Sequence, residues 1–101
     1  MLFTLSACDH PPAPPLKLYT RPSKLDSTGL VLCMTNTSDK SLSCLLTARN
    51  TTLNQTRTHP FDIGPNATTE IGILEMGWSF KTGEKIRLAV EGFETEDYLV
   101  P

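Results

Sequence analysis

Short apolar runs separated by turn residues fill the chain, and no stretch has helical period. Leu16-Lys17-Leu18-Tyr19-Thr20 alternates apolar and polar. Gly29-Leu30-Val31-Leu32-Cys33-Met34-Thr35 is almost continuously apolar and reads as a central strand. Leu42 to Arg49 is the next run. Asn54-Gln55-Thr56-Arg57-Thr58 is polar and threonine-rich, which suggests an edge strand. Thr68 to Leu74, Glu84 to Val90 and Asp97 to Val100 complete the set. About seven short strands at this spacing predict an all-β chain folded as one antiparallel β-sandwich, with under about a tenth of its residues helical.

The segments between the runs carry turn chemistry. Asn36-Thr37-Ser38-Asp39-Lys40 has side chains that bond their own backbone and favour tight turns. Gly64-Pro65-Asn66 breaks a strand. Lys81-Thr82-Gly83-Glu84 places Gly where a hairpin loop needs positive φ. Gly92 offers a bend before the last strand.

The N-terminus reads differently. Leu5-Ser6-Ala7-Cys8, followed by Asp9 and Pro11-Pro12-Ala13-Pro14-Pro15, resembles the lipobox and proline tether of a bacterial lipoprotein. The resemblance implies lipidation at Cys8. Met1 to Ala7 supplies only the end of an apolar signal region, so Met1 is expected to be an internal methionine of a longer signal, or the start to be trimmed. A span would need about 20 apolar residues. The expected organisation is a signal remnant over 1–8, a stiff tether over 9–15 that lifts the domain a short distance, and a β-sandwich over 16–101. In lipoproteins of this kind Asp directly after the lipidated Cys often retains the protein at the inner membrane, which Asp9 matches. The implied location is the bacterial cell envelope, on the periplasmic side.

Composition narrows the picture further. The chain has 101 residues, and about 85 of them remain for one domain with a single modest core. Apolar residues make up 39%, which predicts a thin core. Net charge is −2 and no run of Lys or Arg exists, which argues against a nucleic-acid partner. Glu91, Glu94, Glu96 and Asp97 form the one charge cluster and read as a solvated edge.

Leu30-Val31-Leu32, then Asn36 to Leu42, then Ile63-Gly64-Pro65 before a threonine-rich strand, resemble bacterial immunoglobulin-like domains of the FxLYD and related adhesion-type groups. Gly77 to Leu88, followed by Gly92-Phe93, resembles the closing hairpin of such modules. The match covers residues 28–93, and the FxLYD motif itself is absent. It implies an immunoglobulin-like sandwich acting as an accessory or binding module without catalytic residues.

Candidate chemistry is sparse. With Cys8 lipidated, Cys33 and Cys44 remain as an even pair in an oxidising compartment. If Thr37–Lys40 closes a symmetric hairpin, the two face each other with Cβ atoms about 4.5–5.5 Å apart, near disulfide range. In an immunoglobulin-like sandwich the second and third strands usually lie in different sheets, and the cysteines then meet across the core or not at all. The alternative is two buried thiols packed as small hydrophobes. His10 and His59 match no zinc spacing with the cysteines, so no metal and no cofactor is expected. His59 is the sole imidazole in the folded part, and no nucleophile elbow exists, so no enzyme is expected. Trp78 and Phe80 flank Ser79 and share a strand face. They are either core or an exposed aromatic binding patch. Asn36, Asn50, Asn54 and Asn66 head Asn-x-Ser/Thr sequons, read as turn chemistry in a bacterium.

The functional expectation is a non-enzymatic envelope lipoprotein, held to the membrane by its lipid, that acts as a binding or structural accessory module: it binds another envelope protein or a glycan, or props a larger assembly. The alternatives are a secreted glycoprotein-type β-domain and a small periplasmic inhibitor or enzyme.

Overall fold

The computed structural model describes residues 11–101. Seven strands and one helical turn follow in chain order. They are β1 (Leu16–Pro22), β2 (Leu30–Asn36), β3 (Leu42–Asn50), β4 (Gln55–Ile63), β5 (Thr68–Ile71), α1 (Ile73–Met76), β6 (Lys85–Val90) and β7 (Glu96–Leu99). The chain is an all-β antiparallel sandwich of two sheets, ordered β1-β2-β5 and β4-β3-β6-β7. Compared with the order of an immunoglobulin constant domain, the fourth strand pairs with the third instead of joining the first sheet.

Alternation decides which face each strand buries. In β3, Leu42, Cys44, Leu46 and Ala48 are buried while Ser43, Leu45 and Arg49 are exposed. The inward residues of β6 sit beside them in register, Leu88 on Leu46 and Ile86 on Ala48. Leu32, Met34 and Ile71 of the three-stranded sheet close the core from the other side. Each such side chain contributes about 1.5–3 kcal/mol when fully buried.

The β2–β3 connection is an arch from one sheet to the other, not a hairpin, and this corrects the expected pairing of Cys33 with Cys44. Leu32 and Met34 point into the core, so Cys33 between them points to the opposite face of its sheet. Cys44 points into the core from the facing sheet. Both thiols are free and buried.

The expected strand over Thr68 to Leu74 stops at Ile71. The chain turns at Gly72, whose N–H donates to the Glu75 carboxylate at 2.6 Å. The short α1 then buries Met76 and leaves Leu74 exposed. Gly77 ends it in the left-handed region at φ 83.

Trp78 and Phe80 are core residues, 7% and 1% exposed, and form no surface patch. Phe80 bridges Leu30 of β2, while the Arg57 guanidinium lies 5.8 Å from the centre of the Trp78 ring. The four-stranded sheet is one strand wider than its partner. Trp78 and Met76 pack into the core beneath that overhang, where α1 contacts β4.

Candidate functional site

The strand directions divide the sandwich into two ends. One end gathers the β2–β3 arch, the β4–β5 loop and the β6–β7 turn. The other gathers the β1–β2 and β3–β4 loops, α1 and the C-terminus.

At the first end the proline segment is part of the fold. The Pro12 carbonyl accepts from the Glu94 N–H at 2.8 Å, and the Pro15 carbonyl accepts from the Thr37 N–H at 2.9 Å and the Thr37 hydroxyl at 3.1 Å. Pro14 is buried. Pro12 and Pro15 are therefore docked on the sandwich, four residues and one residue before β1. Cys8, Asp9 and His10 lie outside the described residues.

Asn36 holds this end together. It is fully buried. Its amide nitrogen donates to the carbonyls of Lys40 at 2.6 Å, Ile63 at 3.1 Å and Gly64 at 3.0 Å. Its amide oxygen accepts from the Ser38 N–H and hydroxyl at 2.9 and 2.7 Å. One side chain thus ties the β2–β3 arch to the β4–β5 loop, next to the threonine that holds Pro15. Its sequon is structural, because the acceptor nitrogen is spent and sealed. Asn54 and Asn66 sit in turns at positive φ, 54° and 57°.

At the second end, the outer face of the four-stranded sheet carries Thr47 opposite Arg87, and Arg87 opposite Asp97. Arg87 Nε donates to Asp97 Oδ1 at 2.8 Å, and Lys85 Nζ lies 4.0 Å from Asp97 Oδ2. The Arg87 hydrogen bond and charge hold the Asp97 carboxyl below the usual carboxylate range. Arg49 bonds Thr56 Oγ1 at 3.3 Å and the Asn54 side chain, with no carboxylate partner among the described residues. Two open grooves of about 350 and 670 Å³ share Arg49 and Lys85 and so form one trough.

Neither thiol is poised for chemistry. Burial raises Cys33, and it pushes Cys44 to about 11. Thiols held neutral at pH 7 are poor nucleophiles and poor metal ligands. Above Cys33 sits a bidentate ion pair, Arg21 Nη2 to Glu70 Oε1 at 2.7 Å and Arg21 Nε to Glu70 Oε2 at 2.9 Å. His59 stacks on Phe61 with ring centres 5.8 Å apart. No group of three or more His, Cys, Asp or Glu able to hold a metal ion occurs among the described residues. No helix among them is long and apolar enough to cross a membrane.

The structure thus buries Cys44, Trp78 and Phe80 in the core and turns Cys33 to the other face of its sheet, and it brings together two sets that pattern alone missed. The docked prolines were hidden because backbone carbonyls leave no mark in sequence. The trough was hidden because Arg49, Lys81, Lys85 and Arg87 come from different segments. Comparison with family models, with curated proteins and with solved structures gave no match.

Proposed function

We propose that the chain is a non-enzymatic, lipid-anchored binding module of the bacterial cell envelope. Cys8 carries the lipid, and the sandwich presents its far end to a partner in the envelope. The observation that carries this reading is the docking of Pro12 and Pro15 on the arch and the β6–β7 turn. Pro12 is four chain steps from Cys8, so at full extension the two lie at most about 14 Å apart. An anchor at Cys8 therefore sets the Asn36 end against the membrane. The opposite end lies roughly 30 Å away, the length of the nine-residue β3.

The two ends suit these positions. The anchored end carries Asp39, Asp62, Glu91, Glu94 and Glu96 against Lys17 and Lys40, a net negative charge that an anionic lipid surface repels. The far end carries the exposed side chains of Leu25, Leu53, Leu74 and Leu99 with the basic trough. Several acyl chains on Cys8 make a lasting anchor, since each buried CH₂ contributes about 0.8 kcal/mol. The reading is tested by expressing the chain behind a complete bacterial signal and feeding cells a clickable fatty acid. Label on the wild type and none on Cys8→Ser is expected. Equal labelling of the two overturns it.

A further inference from the structure

We propose that the trough on the outer face of the four-stranded sheet binds an anionic glycan, a polysaccharide bearing carboxylate, sulfate or phosphate groups. This names a ligand class for the binding module above and rests on that reading.

Charge is the first argument. Arg49, Lys81, Lys85 and Arg87 line the trough, against Glu84 and Asp97. The local excess is two positive charges (four minus two), in a chain whose net charge is −2. Asp97 is engaged by Arg87 and Lys85. The Glu84 carboxylate accepts the Lys81 backbone N–H at 2.7 Å. Arg49 and Lys81 have no carboxylate partner among the described residues. A concave surface with a net excess of one sign draws ligands of the other.

The second argument is the chemistry between the cations. Thr47, Thr51, Thr52, Thr56 and Thr82 supply hydroxyls along the same trough. A hydroxyl both donates and accepts, which suits the alternating hydroxyls and ring oxygens of a sugar chain. No lining residue is aromatic. A protein interface core is enriched in aromatic residues and Arg and depleted in Lys; a lining with two Lys, two Arg, five Thr and no aromatic residue favours a hydrated polyanion over a protein segment. An open trough on a flat sheet face also admits a long chain from either side.

The geometry agrees with the anchored orientation. The trough begins midway along β3 at Thr47 and extends away from the Asn36 end onto the β3–β4 loop. A module held at Cys8 would therefore offer its cations to polymer lying beyond the membrane surface.

The test uses the full 101-residue chain and three probes: oligogalacturonate, neutral dextran and poly-glutamate. Binding is followed by calorimetry at about 10 mM and about 0.15 M ionic strength, which bracket weak and strong screening. Oligogalacturonate is expected to bind at low salt and weaken at high salt, with no binding of dextran. Poly-glutamate is expected to bind at least tenfold more weakly than oligogalacturonate. Arg49→Gln with Lys85→Gln should weaken oligogalacturonate binding roughly tenfold. Arg49→Lys with Lys85→Arg, which keeps the charge, should stay within about threefold of wild type. Lys17→Gln with Lys40→Gln, at the other end, should leave binding unchanged. Circular dichroism and melting identify any variant that is not folded, and the charge-keeping pair then carries the comparison. Absence of oligogalacturonate binding, equal affinity for poly-glutamate, or full affinity in a folded Arg49→Gln/Lys85→Gln chain each overturns the proposal. Loss of glycan binding with Cys8 labelling intact removes the trough and leaves the anchored module standing.

Discussion

Replacing Asn36 by Ala should destabilise the domain by about 3–4 kcal/mol. The side chain is fully buried; the two N–H groups of its amide face three carbonyls, one N–H being shared, and its oxygen accepts two hydrogen bonds. A net neutral hydrogen bond contributes about 1 kcal/mol, and a buried group left unpaired costs about 1–3 kcal/mol. The Lys40 and Gly64 carbonyls lie near the surface and can recruit water after truncation. The Ile63 contact is the fully buried one of the three, so its loss weighs most. A domain of this size has about 5–13 kcal/mol in total. The melting point should fall by roughly 12–30 °C. Urea unfolding followed by the single tryptophan measures the effect. Asn36→Asp sharpens the test, because it keeps the shape but turns an oxygen toward three carbonyls. Its carboxyl should titrate above the unfolded value of about 3.9, since burial and the carbonyls disfavour the charge. A raised folded value makes its stability greatest below about pH 4 and lost as pH rises. Asp at this position should therefore be worse than Ala at pH 7 and closer to it at pH 4. An Ala variant costing under about 1 kcal/mol, or an Asp variant at least as stable as Ala at pH 7, would refute the hub role of Asn36.

Other expectations follow from the same packing. Cys33 and Cys44 should resist a thiol reagent in the native protein and react on unfolding, and reduction should leave the melting point unchanged; a reductant-dependent melt contradicts the free-thiol geometry. Because burial raises Cys44 from 9.0 to about 11, wild-type stability should fall as pH rises across that window, and Cys44→Ala should lack this part of the slope. Trp78→Ala should cost about 3–5 kcal/mol, and native emission should be shielded from iodide; free quenching would place the ring at the surface. Gly29→Ala should cost about 1–3 kcal/mol, because a Cβ there would lie 2.2 Å from Ser79 Cβ. Adding Ser79→Gly should restore stability non-additively, and simple additivity would show the two are uncoupled.

Much of the fold was legible because period-two alternation is local. The runs at Leu16, Leu42 and Glu84 became strands at close to the expected bounds, and the polar run lies in an edge strand from Gln55 on. Gly83 and Gly92 both take positive φ, 90° and 86°, as the turn reading required. The errors arose where a choice depends on partners distant in sequence. Thr37–Lys40 looks alike whether it closes a hairpin or crosses between sheets. Asn36 decides the matter, by bonding residues 27 and 28 positions away. The disulfide expectation fell with it, since the arch sends Cys33 and Cys44 to different sheets and parity turns Cys33 outward. Gly72 and Glu75 likewise convert an apolar run into a helical turn. The trough was illegible because its cations are spread over residues 49–87 and only strand register gathers them.

The central claim is an orientation: a lipid on Cys8 sets the Asn36 end at the membrane and points the trough away. Lipidated protein carrying a fluorophore at Glu94→Cys or at Thr82→Cys, in vesicles with acceptor-labelled headgroups, measures it directly. Both positions are exposed, and the native cysteines are buried against labelling. The account predicts strong energy transfer from position 94 and much weaker transfer from position 82, with a difference of about 30 Å in height. Equal transfer from the two positions, or stronger transfer from 82, would contradict it.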